Sequence, residues 1–156
     1  MSLRDRLSAK ARRHLDHPVV IDDLQVAAAA VGAQEQLLWA ARMGGDAAEI
    51  EAATAAVAAA KAAVTACYEF VGFDALDPND YEELTRSCLD DDGRLDIDAV
   101  LPALAAACAT DEDLRDPQYW ASELGSGRWN AGEVAHLFAE LTALNQAIPP
   151  AGLGKG

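Results

Sequence analysis

The sequence has few aromatic and few basic residues. Phe, Trp and Tyr make up 6% of its 156 residues, and 12 Lys and Arg side chains oppose 26 Asp and Glu, which gives a formal net charge of −14. A nucleic-acid backbone needs a basic face on its partner, so nucleic acid is not expected to bind. Residues 1–21 carry +3, which leaves −17 on the remainder. We therefore expect a short basic segment and a strongly acidic body.

Cysteine is scarce as well. The chain has three cysteines, an odd number, and none of them forms a Cys-x-x-Cys pair: Cys67, Cys88 and Cys108. This pattern predicts reduced thiols in a cytosol rather than a disulfide framework. No uncharged apolar run reaches the roughly 18 residues of a membrane span, and residues 1–20 lack the apolar centre of a signal peptide. We expect an intracellular protein without membrane contact.

Catalytic patterns are also missing. The sequence contains no glycine-rich phosphate loop, and its motifs provide no acid–base pair. His14 and His17 precede a break at Pro18, and His136 stands alone, so no zinc site is expected. The sequence predicts a protein that is not an enzyme and has no metal or other cofactor.

The acidic segment "CLDDDGRLDIDA" has the composition of a calcium loop without its ligand pattern. When Gly93 is aligned with the glycine of an EF-hand, Cys88 takes the first ligand position and Ala99 the last. Because the closing carboxylate is missing, we expect a solvated turn that caps the next helix.

Alanine is abundant and favours helix, so the predicted fold class is all-α. Apolar spacing and cap residues predict a helix over about 2–15, an extended connector at 19–21 and a long helix over 22–43. Gly44-Gly45 then predicts an antiparallel hairpin with a second long helix from residue 46. In that helix a seam is predicted from residues that recur every seven positions: Ile50, Val57, Val64 and Val71.

From residue 76 onward the helices are predicted to be short and to form a compact bundle. Asp77-Pro78, Asp116-Pro117 and Asn130 with Glu133 are signals for helix starts. Pro102 is expected in the first turn of a helix over about 99–109. The predicted domains are a basic N-terminal segment, the hairpin, the acidic module and a disordered tail, at residues 1–21, 22–75, 76–147 and 148–156.

Large apolar side chains are the remaining candidates for function. Leu37, Leu38 and Trp39 are consecutive, so they cannot all face one helical seam. Trp120 and Trp129 suit either a core or a partner contact, because a large amphipathic ring serves both uses. The candidate partner-binding residues are Leu37, Trp39, Trp120, Trp129 and Phe138.

Five segments, distributed between residues 1 and 146, carry a resemblance to a known family. They are "MSLRDRLSAKARR" at 1–13, "HPVVID" at 17–22, "ACYEFVGFDALDPNDYEELT" at 66–85, "LPALAAAC" at 101–108 and "GRWNAGEVAHLFAELTALNQ" at 127–146. In this order they resemble the tail assembly chaperones of long-tailed (siphovirus-type) actinobacterial phages. The chain departs from the family where "SCLDDDGRLDID" replaces an "HPPT"-type segment, which puts partner contacts by that loop in doubt.

The resemblance implies a protein that binds the tape measure protein and keeps it soluble for assembly of the tail tube. It would act in the host cytoplasm and be absent from the mature virion. The tail tube protein and a second copy of the chain are further candidate partners. Two alternatives stay open: a structural tail or head-completion protein retained in the virion, and an acidic regulatory adaptor that binds a basic partner.

Overall fold

The computed structural model describes residues 1–146, apart from the side chain of Leu7, so the predicted disordered tail at 148–156 lies outside the described residues. The described part contains seven helices, one 3-10 turn and a two-stranded antiparallel sheet. Its elements are α1 Leu3–Ser8, β1 His14–Val20, α2 Leu24–Gly44, α3 Ala47–Ala66, β2 Tyr68–Asp74, α4 Pro78–Ser87, α5 Ile97–Cys108, a 3-10 turn Glu112–Leu114, α6 Pro117–Leu124 and α7 Ala131–Gln146. The fold is mostly helical, and the prediction of a purely all-α fold is wrong at the sheet.

The two strands replace segments for which helix was predicted. The first helix ends at Ser8 rather than near residue 15, and the predicted seam residue Val71 lies in β2 because α3 ends at Ala66. Each strand is held by hydrogen bonds to a segment about 50 residues away in the sequence. Such a partner is invisible to local spacing, and the seven-residue period continued into β2 by coincidence.

The ends of the sheet show its register. At one end the amide of Ala75 donates to the carbonyl of Arg13 at 2.9 Å, and at the other the amide of Ile21 donates to the carbonyl of Cys67 at 2.8 Å. The chain divides into two compact units, Pro18–Phe70 and Met1–His17 with the chain from Val71 onward. Both strands run from one unit into the other.

In the unit 18–70, α2 and α3 form the predicted antiparallel hairpin. Asp23 begins α2, because its carboxylate accepts the amide of Val26 at 3.1 Å. Gly45 ends it with a φ of 76°, a left-handed conformation that glycine adopts without strain. Asp46 then begins α3 by accepting the amides of Ala48 and Glu49 at 2.8 and 3.1 Å.

The hairpin seam is thin. Ile50 and Val64 are half-buried, and Val57, at 7% exposure, is the one fully buried residue of α2 and α3. An exposed ion pair between Lys61 and Glu35 at 3.0 Å also joins the helices, and such pairs contribute little. Alanine at most other seam positions brings the helices close but buries little apolar area.

Replacing Val57 with Asp tests the hairpin seam. A carboxylate at this position loses water without gaining a partner, so we expect unfolding of the hairpin to become about 3 kcal/mol easier. Val26→Asp places the same charge at a residue of the same hairpin that is 66% exposed, and should cost little. Urea unfolding followed by circular dichroism measures both, and equal curves for the two variants would contradict the seam.

The other unit is built around α5. Seven of the twelve residues of α5 are buried. Five of the seven pack with Phe73, Trp120, Leu137, Leu141 and Leu144. Tyr81 and Leu84 of α4 are partly buried and pack against this core. Because most of the buried large apolar side chains of the described residues meet here, this unit holds the main hydrophobic core.

The acidic segment forms a turn and then begins α5. Asp90 accepts the amides of Asp92 and Arg94 at 2.9 and 2.8 Å, so the segment is a capped turn, as expected. Asp96 then accepts the amide of Asp98 and begins the helix at residue 97. Pro102 therefore lies inside α5 and not in its first turn, so that prediction is wrong. The cap at Asp96 starts the helix earlier than its apolar spacing indicates.

Gly72 in β2 is required by a close approach of Thr110. The amide and hydroxyl of Thr110 both donate to the carbonyl of Gly72, at 3.0 and 3.1 Å. A Cβ at Gly72 would lie 2.6 Å from Thr110 Oγ1 and 3.2 Å from His14 Cε1. Rotating Thr110 breaks its hydrogen bond, so no adjustment removes the clash without loss.

We expect Gly72→Ala to lower the free energy of unfolding by about 1–3 kcal/mol through this overpacking. The matched variant is Gly32→Ala in α2, where an added Cβ meets nothing within 4 Å. That change should raise stability by about 0.5–1 kcal/mol, since alanine favours helix. Thermal unfolding distinguishes them, and a stabilised Gly72→Ala variant would refute the contact with Thr110.

Candidate functional site

The five candidate residues fall into different environments. Leu37 and Trp39 lie on the surface of α2, at 58% and 67% exposure. Trp120 is buried in the core around α5, and its Nε1 donates to the carbonyl of Leu114 at 2.7 Å. Trp129 and Phe138 are half-buried against the same core. Trp120 is therefore a core residue without a surface to offer a partner.

The outward side of α2 carries four exposed large apolar residues: Val26, Leu37, Trp39 and Met43. At 100° per residue, Val26 and Leu37 lie within about 20° of each other and Trp39 and Met43 within about 40°, so they form two rows along the helix. Exposed alanines at 29, 33 and 40 lie between the rows, together with the exposed Gln36. We call the four large residues and these alanines the α2 face.

The α2 face is almost free of charge. Only Glu35 and Arg42 are charged among the 21 residues of α2. The sequence identified Leu37 and Trp39 but not Val26 and Met43, although the helical spacing of eleven and four residues from those two could have found them. An exposed, largely apolar surface with this little charge, on a unit with hardly any buried core, is typical of a protein interaction site.

A second apolar surface lies along α7. Phe138, Ala139, Thr142, Ala143 and Gln146 line a shallow, open groove of about 500 Å³. Gln146 also donates from Nε2 to Tyr81 Oη at 2.9 Å, which fixes one end of the groove. Phe138 is thus accessible from one side while its other side packs on the core.

Two histidines and a carboxylate meet between β1 and α7. His17 Nδ1 lies 2.5 Å from Glu140 Oε2, and His136 Nε2 lies 3.4 Å from Glu140 Oε1. His17 is 2% exposed, whereas Glu140 is half-buried and His136 is exposed. One ligand atom from each residue lies within 4.8 Å of the other two, so this trio could hold a metal ion. We call His17, His136 and Glu140 the histidine cluster.

The sequence missed the histidine cluster. His136 does not stand alone, as was expected, because His17 and Glu140 lie beside it. The spacing from His136 to Glu140 is one helical turn, which was a usable signal. His17 is 123 residues from Glu140, and only the fold reveals that they meet.

His14 makes a separate set of contacts. Its Nδ1 lies 2.8 Å from Asp74 Oδ1 and its Nε2 lies 3.1 Å from Asp16 Oδ1. The hydrogen bond to Asp74, followed by that to Asp16, raises the pKa of His14 above its ordinary value of 6.5. Both bonds favour the protonated imidazole.

Because the pKa of His14 is raised in the folded protein, its contribution to stability is complete below about pH 6.5 and is lost as the pH rises through the raised value. We expect the melting temperatures of the wild type and His14→Gln to differ more near about pH 5.5 than near about pH 9. Lys10→Gln removes a positive charge from the same basic segment and serves as the control. A difference for His14→Gln that is independent of pH would contradict the ion pairs.

The three cysteines are free thiols in the structure. Cys67 and Cys108 are buried, and Cys88 is half-buried. Burial raises the pKa of Cys108, which keeps it protonated and suits a packing role rather than a nucleophile.

No helix of the described residues is both long enough and apolar enough to cross a membrane. Comparison of the chain with models of protein families, with curated proteins and with solved structures gives no match. The α2 face and the histidine cluster therefore have to be interpreted from their own chemistry.

Proposed function

We propose that the protein is a chaperone that covers apolar helical segments of a partner with its α2 face. With the family resemblance of its sequence, we propose further that it is a phage tail assembly chaperone and that its partner is the tape measure protein. The observation that supports this most is the exposure of Val26, Leu37, Trp39 and Met43 on a helix with two charged residues.

The shape of the α2 face suits a helix. The small residues between the two rows leave room for the side chains of an amphipathic helix that packs along α2. A tape measure protein contains long helices with apolar stripes before it is assembled. Covering such a stripe removes the apolar surface of both proteins from water.

The magnitude of the burial favours reversible binding. Full burial of one large apolar side chain is worth roughly 1.5–3 kcal/mol, so the four side chains of this protein contribute at most about 6–12 kcal/mol. Association itself costs about 4–15 kcal/mol, so one such contact leaves a small net affinity. A chaperone must release its client during assembly, and a long client offers many stripes that hold several copies at once.

The charge of the chain supports the same function. The net charge of −14 lies almost entirely outside α2. Complexes would therefore meet through acidic surfaces that repel each other while the apolar stripes are covered. This division between an uncharged face and an acidic body is what a solubilising protein requires.

A variant pair tests the proposal. We expect co-expression with the protein encoded directly downstream to bring that protein into the soluble fraction and into a pull-down. Leu37→Ser with Trp39→Ser should reduce recovery at least tenfold, because both changes remove apolar contact area from the α2 face. Tyr119→Ser is the control, since Tyr119 is an aromatic residue of the other unit that is also exposed.

Equal recovery by the double variant and the control would refute the α2 face as the binding surface. The effect of salt on the complex distinguishes an acidic adaptor from a chaperone. An ionic complex weakens steeply as the salt concentration increases, whereas an apolar complex does not. Purified virions test the remaining alternative. A structural tail or head-completion protein would be present there in fixed copy number, whereas a chaperone would be absent.

A further inference from the structure

The histidine cluster has a ligand set that metals use. Two imidazoles and one carboxylate are the protein ligands of catalytic zinc sites and of non-haem iron sites. Among the described residues, Glu140 has no Lys or Arg partner, and its two oxygens are directed at the two imidazoles instead. The carboxylate is therefore the one negative group in contact with both rings.

α7 supplies two residues of the cluster, and β1 supplies the third. His136 and Glu140 are one turn apart on α7, so the helix presents them on the same side. His17 reaches them from β1 and is almost fully buried. Its ring centre lies 5.4 Å from that of His136, with the ring planes inclined by 46°.

The distances fit a metal after a small adjustment. Ligands about 2.0–2.2 Å from a tetrahedral zinc ion lie about 3.3–3.6 Å apart. His136 Nε2 and Glu140 Oε1 are 3.4 Å apart, which already matches. His17 Nδ1 is hydrogen-bonded to Glu140 Oε2 at 2.5 Å, so that pair would open by about an ångström as the metal replaces the proton between them.

We propose that His17, His136 and Glu140 form a binding site for Zn²⁺. Imidazole nitrogen with a single carboxylate favours a borderline ion such as zinc over Ca²⁺ or Mg²⁺, which prefer several oxygen ligands. The exposed side of the cluster, at His136, leaves the fourth position to water. Zinc there ties β1 to α7 and stabilises the unit that contains the core around α5.

The site also has a consequence for the N-terminal segment. α1 and the basic residues at 4, 6, 10, 12 and 13 are attached to the remainder of the chain through β1. A metal that fixes His17 to α7 therefore fixes the point from which the basic segment extends. The zinc site is independent of the proposed chaperone function, and measurements of metal binding alone can test it.

Metal binding to the complete, metal-free chain tests the proposal directly. We expect titration calorimetry to show one Zn²⁺ per chain and a higher melting temperature with zinc than with a chelator. Co²⁺ should give the visible absorption of a four-coordinate or five-coordinate site without the near-ultraviolet band of a cobalt–thiolate bond. That band would reveal a site at the cysteines and would overturn the assignment.

Single substitutions then locate the ion. His136→Ala and Glu140→Gln should weaken zinc binding at least tenfold, and both are expected to fold because the two residues lie on the outer part of a helix. His14→Ala is the matched control, since His14 contacts Asp74 and Asp16 and no residue of the cluster. Absence of binding by the wild type, or full affinity in His136→Ala, would show that the cluster is only a hydrogen-bonded contact.

Discussion

The unequal distribution of large apolar side chains is the constraint on which the rest of the structure depends. Half of the residues are apolar by type, but many are alanine, which favours helix and buries little surface. The buried large side chains meet mainly around α5, where Phe73, Trp120 and Leu137 are buried. In the hairpin helices α2 and α3, only Val57 is fully buried. One unit thus has a core, and the other has a seam and an uncovered face.

This distribution connects stability with the proposed function. Trp39 and Met43 would add to a core if a third helix covered them, but in the hairpin they face water. Keeping such residues exposed costs solubility, which the acidic remainder of the chain offsets through repulsion. In the proposed complex, a partner helix would supply the missing layer without a change of fold. The α2 face is consistent with a surface maintained for binding.

The sheet shows how long-range pairing changes the meaning of a local pattern. His14 and His17 are three residues apart, a spacing that places two side chains on one side of a helix but on opposite faces of a strand. In β1, His14 is exposed beside Asp74, whereas His17 is buried against Glu140. The strand therefore separates the two histidines and brings one of them to α7. His14 and His17 therefore belong to two separate sets of contacts, one with Asp74 and one with Glu140.

The sequence by itself determined the helices with strong caps, because the signals of Asp23, Asp46 and Asp77 act on amides two or three residues away. It also required that at least one of Leu37, Leu38 and Trp39 face outward, because three adjacent large residues cannot all face one seam. Only the tertiary structure decided that residues 14–20 and 68–74 form a sheet, that Trp120 is buried, and that His17 lies beside Glu140. These outcomes depend on contacts across 50 to 123 residues, where chain topology and competition for burial outweigh local preference.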